Sequence, residues 1–208
     1  MDEIPWAWRP AFHAFGYGVG GGFELALRVT RRSCRFEGLR HDRAAEPPRI
    51  ECIWHEHLPA YIAAFLPGPH PHVWLNHPSW YMRPVHVLLG LRGVREIMLG
   101  SSGHGGKQAA ARVAERLAAG GLSTGVAVDG PAGPPRELKP GALDMAAATG
   151  LPIVPIRFEY ERAARGRGWD RKHWPLPGST VRVVEGSPIH VSPTAPRAHT
   201  QLLQESLG

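Results

Sequence analysis

Apolar positions along this chain change their spacing from one segment to the next. The segments 49–54 (RIECIW), 72–76 (HVWLN), 94–99 (VREIML), 122–128 (LSTGVAV), 151–160 (LPIVPIRFEY) and 180–186 (TVRVVEG) are short apolar runs bounded by Gly, Pro or polar clusters, as buried strands are. Between them, 57–65, 84–91, 105–119 and 141–149 read as helices. The clearest, 105–119, turns Ala110, Val113, Ala114 and Leu117 to one side. Upstream, 23–36 (FELALRVTRRSCRF) predicts a helix with Phe23, Leu27 and Thr30 on one face and Arg28, Arg32 and Arg35 as a basic stripe. An aromatic arm with Trp6, Trp8, Phe12 and Phe15 precedes it. Alternating strands and helices predict an α/β fold with a mostly parallel central sheet flanked by helices. No repeat or low-complexity linker divides the chain. It reads as one domain, with an arm and basic helix at 1–48, a core at 49–192 and a tail at 193–208. In such sheets ligands bind beyond the C-terminal ends of the strands. The loops after Trp54, Asn76, Leu99 and Val128 are therefore where chemistry is expected.

Composition narrows the setting. The 208 residues suffice for one core, and 43% apolar with 20% charged content describes a globular protein. Two cysteines, Cys34 and Cys52, form no spaced framework and read as thiols in a reducing compartment. The first residues, MDEIPWAW, lack the basic and apolar regions of a signal peptide, and no apolar run approaches the ~18 residues of a spanning helix. A cytoplasmic protein is expected, or one peripheral on the cytoplasmic face of the inner membrane. The net charge of +6 favours anionic partners. Without a dense Lys/Arg run, zinc-finger spacing or RNA-binding aromatics, nucleic acid is not expected. The basic stripe beside the aromatic arm reads either as a solvated helix face or as a helix lying on an anionic membrane surface.

Three loops carry candidate chemistry. Asn76-His77 closes a strand, and a neutral imidazole there reads either as a general base or as a structural histidine with its bonds satisfied. Residues 98–108 (MLGSSGHGGKQ) open the clearest helix and read either as a glycine turn with an N-cap or, through the first amides with Ser101, Ser102 and Lys107, as a site for an anion or oxyanion; the ending of a Walker loop is absent. Residues 128–141 (VDGPAGPPRELKPG) form a stiff crossing in which Asp129 leaves a buried strand and Arg136 and Lys139 follow. Asp129 reads as a cap for backbone amides or as part of a charged-ligand anchor. Six histidines crowd 55–86, but H-E-x-x-H is absent and Pro59 interrupts the run, so no metal is expected.

In order, these blocks resemble the lysophospholipid acyltransferase (glycerolipid acyltransferase) superfamily, in particular its small bacterial branch without a transmembrane segment. NHPSWYM (76–82) is similar to N-H-x-S-x-x-D, and MLGSSGHGG (98–106) to R-G-S-S-x-x-G-G. The stretch 126–158 resembles D-G-P-R-G-P…K-P-G…T-G-x-P-I-V-P. GWDRKHWPLPGS (168–179) resembles S-W-D…P-x-P, and Trp54-His55 the branch's W-H dipeptide.

The resemblance implies acyl transfer from acyl-CoA or acyl-carrier protein, as co-substrate, to a hydroxyl or amine of a lysolipid-like acceptor, with no further cofactor. It implies His77 as base, with Asn76, Ser79, Gly100, Ser101, Ser102, Gly130, Pro131, Arg136 and Lys139 around the substrate. The chain departs from the pattern at three places: Met82 stands where the orienting aspartate belongs, and Leu99 and Ala132 where arginines do. A substitute acid is then expected among Asp129, Asp170 and Glu56, and His55 is the rival base. The alternatives left open are a lipid or acyl-chain binding relative without turnover and a metal-dependent hydrolase using the histidine cluster.

Overall fold

A computed structural model of the chain describes residues 4–40, 46–100 and 105–208. Apolar runs become strands and three-to-four-residue repeats become helices. The order is α1 (Arg9–Ser33), β1 (Arg35–Glu37), β2 (Ile50–Ile53), α2 (Leu58–Phe65), β3 (His72–Asn76), α3 (Arg83–Leu91), β4 (Val94–Leu99), α4 (Gly106–Ala118), β5 (Thr124–Ala127), α5 (Gly141–Thr149), β6 (Ile153–Tyr160), β7 (Ala163–Arg165), β8 (His173–Pro175), β9 (Thr180–Glu185) and α6 (Thr200–Leu207). Five strands lie in the order β1-β9-β6-β2-β5. The parallel pair β3–β4 continues this sheet through a parallel bridge from His72 to Ser123, just before β5. Among the described strands each pair in it is parallel except β6 with β9, and Ile189 adds an antiparallel bridge to Ile153.

Strand β2 sits mid-sheet with all four residues buried, so both of its faces must be apolar or internally paired. Ile53 joins a layer with Leu27 of α1, Tyr61 and Phe65 of α2 and Leu89 of α3. Ile50, Cys52 and Trp54 face the other layer, with Val113 and Leu117 of α4, Leu143 of α5 and Leu203 and Leu207 of α6. The alternation along one strand thus separates two helical layers.

The largest departure from expectation is α1, which begins at Arg9 and absorbs the aromatic arm. Five glycines between positions 16 and 22 argue against a helix on propensity. They are tolerated because α1 lies tight on α3: a Cβ at Gly16 would stand 2.5 Å from Arg83 Cγ, and one at Gly20 2.6 Å from the Pro84 carbonyl oxygen. Glu24, on the same buried side, accepts from Arg28 at 2.5 Å and from Arg92 at the end of α3. The helix ends before the expected limit of 36, since Cys34 is already extended and β1 pairs with β9. Arg35 therefore lies on a strand and leaves the basic stripe. Phe12 is buried against Trp80 (centroids 6.2 Å) and is no interfacial anchor, while Phe23 is part-exposed and stacks on Trp174. In α4 the inward positions are Ala109, Val113 and Leu117, with Ala110 and Ala114 at the flank. The tail contains α6, whose Leu203 and Leu207 are core residues. Among the described residues no helix is long and apolar enough to cross a membrane.

Candidate active site

The register of β2 and β5 creates the first feature. Ile53 is level with Ala127 on adjacent parallel strands, so the residues two beyond each, His55 and Asp129, leave the sheet side by side. Asp129 Oδ1 stands 2.8 Å from His55 Nδ1 and also accepts the His55 backbone N–H at 3.0 Å. Its other oxygen accepts the Arg136 N–H at 3.3 Å. One carboxylate thus caps two turns and holds an imidazole. With Nδ1–H donating to Asp129, Nε2 carries the free lone pair of a neutral ring. The Asp129 side chain is 2% exposed and that of His55 15%, so the acid is sealed beneath a base that reaches the surface.

Trp169 covers this imidazole, with ring centroids 5.2 Å apart. It rests on Gly133, where φ is +67° and a Cβ would come within 2.6 Å of the indole. The proline-glycine loop and the Gly168-Trp169-Asp170 block therefore meet over His55. Trp169 was not singled out in the sequence; its position in that block was the only signal. Asp170 is buried, but its carboxylate binds Lys172 Nζ rather than an imidazole. Glu56, the third candidate acid, holds Arg136 at 2.6 and 3.1 Å.

His77 is arranged differently. It follows β3, its backbone N–H donates to Asn76 Oδ1 (2.7 Å), and its Nδ1 accepts the Ser79 N–H at 3.1 Å. A neutral ring accepting at Nδ1 carries its proton on Nε2, which is then a donor. Tyr81 stacks on the ring, and His86 Nε2 bonds the His77 carbonyl. Met82 occupies a 3-10 turn leading into α3.

The other candidates divide by location. The Gly100 N–H bonds the Asn76 carbonyl at 2.8 Å and the Gly130 N–H that of Ala127 at 3.2 Å, so these two donors are already engaged. Pro131 is exposed at the rim of the 128–141 loop. Lys139 Nζ binds Glu137 at 2.6 Å, a surface pair that a stronger anion can displace. Ser101 and Ser102 lie outside the described residues. Behind His55, the same turn buries His57, whose Nδ1 lies 3.0 Å from Tyr160 Oη. Burial pulls the His57 imidazole down to about 4, against the opposing pull of Glu56, and keeps the Tyr160 hydroxyl well above its usual range.

No protein-family model matches the chain. Over 154 residues, 74% of this chain and 69% of the relative, it is 27% identical to "Uncharacterized protein RP090" of Rickettsia prowazekii (strain Madrid E). Among solved structures it is similar to the 1-acyl-sn-glycerophosphate (LPA) acyltransferase PlsC of Thermotoga maritima. The TM-score is 0.54 over 89% of this chain and 78% of that one, at 13% identity. The chain has the PlsC-like fold. Within that fold His55, two residues beyond the central strand β2, is held by the Asp129 carboxylate, and the side chain at position 82 is a methionine.

Proposed function

We propose that the chain is an acyltransferase that moves a fatty acyl group from acyl-CoA or acyl-carrier protein to a hydroxyl or amine of a lysolipid-like acceptor, with His55 as base. The observation that carries this reading is the 2.8 Å contact of His55 Nδ1 with buried Asp129. His55 Nε2 takes the acceptor's proton, the acceptor oxygen or nitrogen bonds the thioester carbon, the C–S bond breaks and the departing thiolate is protonated from the imidazolium. Asp129 keeps the ring in the required tautomer and stabilises its cation, the role met elsewhere in triad-type sites. The resemblance implies that backbone amides of a glycine loop stabilise the oxyanion. The PlsC-like fold and the sequence blocks support the substrate class. The exposed apolar side of α1 supports a peripheral position on a membrane.

The test is incubation with labelled acyl-CoA or acyl-carrier protein and a total lipid extract. A new acylated lipid is expected. It should vanish in His55→Ala and fall by about 10⁴ in Asp129→Asn. In His77→Ala a product is expected to persist. Loss of product in His77→Ala with retention in His55→Ala would reverse the assignment. Met82 and the amide-bonded ring of His77 favour a second reading, a lipid or acyl-chain binding protein without turnover, which predicts acyl-CoA binding and no product at high protein concentration.

A further inference from the structure

The turn that presents His55 to the surface buries His57 against the rings of Phe158 and Tyr160. His57 is only 2% exposed. Its Nε2 and the Nδ1 of His173 are both buried without a hydrogen-bond partner. The two rings face each other at 5.9 Å between centroids. Glu56 Oε1 lies 3.4 Å from His57 Nε2 but out of line for a hydrogen bond. One ligand atom from each of Glu56, His57 and His173 lies within 4.8 Å of the others.

We propose that Glu56, His57 and His173 form a binding site for one divalent transition-metal ion of the zinc class. Two imidazoles and a carboxylate are a borderline donor set that suits zinc and its neighbours. Ligands about 2.1 Å from a tetrahedral ion stand about 3.4 Å apart, which is the separation already present between Glu56 and His57. Closing the remaining separations from at most 4.8 Å requires His173 to move inward by roughly an ångström. His173 lies on the β7–β8 hairpin and can make such a shift by side-chain rotation. The supporting shell is present as well. His57 Nδ1 can donate to Tyr160 Oη, which fixes the tautomer that leaves Nε2 as a ligand.

Arg136 is the opposing charge. It holds Glu56 from the solvent side, but its side chain is 54% exposed and a carboxylate retains lone pairs for a second cation. The ion has a positional role in this proposal. It links the turn carrying His55 to the hairpin whose intervening loop carries Trp169, and acyl transfer through His55 does not require it.

The chelator-stripped full chain is titrated with Zn²⁺, and with Co²⁺ as a visible-absorbing probe. One saturable equivalent is expected, with cobalt absorption of a low-coordinate site and a raised melting temperature. His173→Ala and Glu56→Gln should each weaken binding by at least about 10-fold, and Tyr160→Phe by about 10- to 100-fold. Arg136→Gln should tighten it. His190→Ala, at an exposed histidine away from the cluster, should leave it unchanged. Circular dichroism keeps folding separate from binding, and Glu56→Gln preserves the side-chain shape if His173→Ala unfolds. Absence of a saturable equivalent overturns the proposal. So does binding that folded His173→Ala and Glu56→Gln proteins retain undiminished, or that His190→Ala removes.

Discussion

Asp129 shows how one carboxylate serves structure and chemistry together. It accepts two backbone amides and the His55 imidazole, so its removal should loosen the 128–141 loop as well as the base. The conservative Asp129→Asn change keeps the shape but not both acceptors: in the proposed reaction it should lower kcat with KM nearly unchanged, and its amide nitrogen, set against an N–H donor, should lower the melting temperature modestly. The acid itself was legible, because an aspartate directly after a buried strand must find donors. Its partner stays open in the sequence between His77 and His55, because pairing His55 with Asp129 depends on the register of two strands far apart in the chain. A second residue-scale effect concerns His86. Burial and the nearby Arg83 lower its pKa, and the bond to the His77 carbonyl only partly opposes them. The unfolded chain therefore takes up this proton at a higher pH than the folded one. Stability from this source is complete above about pH 6.5 and is lost as pH falls below it. Urea midpoints of His86→Leu should accordingly fall less between about pH 7.5 and about pH 5.5 than those of the parent chain.

At the scale of elements, α1 sets two demands on its glycines. Gly20 is pressed against the Pro84 carbonyl, whereas Gly18 has nothing within 4 Å of an added Cβ. The same substitution should therefore act in opposite directions two residues apart. Gly18→Ala should stabilise by about 0.5–1 kcal/mol through helix propensity, and Gly20→Ala should destabilise by about 1–3 kcal/mol by forcing α1 from α3. Equilibrium urea unfolding measures both. This helix also marks the limit of reading elements from sequence. The strands at 72–76 and 94–99 and the helix at 141–149 have the same bounds in the structure, because their apolar spacing is set by burial on the sheet. The glycines of α1 mean nothing until the neighbouring helix is known. The short β7–β8 pair and α6 were missed for a related reason: three-residue strands carry too few periods to stand out, and α6 (TQLLQESL) sets only three leucines among polar residues.

At the scale of the molecule, α1 turns an uncharged face outward. Between Arg9 and Arg28 its only formally charged side chain is Glu24, which is buried. Tyr17, Leu25 and Val29 are exposed along it, with Trp6 and Trp8 at its start and Trp80 and Tyr81 alongside. Arg28, Arg31 and Arg32 follow at the far end. Apolar and aromatic groups at one level beside a basic cluster are what an interfacial helix needs. The proposed peripheral docking therefore makes quantitative demands. The chain should sediment with vesicles containing phosphatidylglycerol, more weakly with purely zwitterionic ones, and less as salt rises, because headgroup attraction is screened. Arg32→Gln should lower partitioning by about fivefold, the equivalent of about 1 kcal/mol for one basic residue at an anionic surface. Leu25→Glu with Val29→Glu should nearly abolish it while leaving the melting temperature unchanged, since both side chains point away from the core. If those two charges leave sedimentation intact, α1 is not the docking face. If sedimentation fails in every lipid mixture, the uncharged surface has another role and the acceptor must reach His55 from solution.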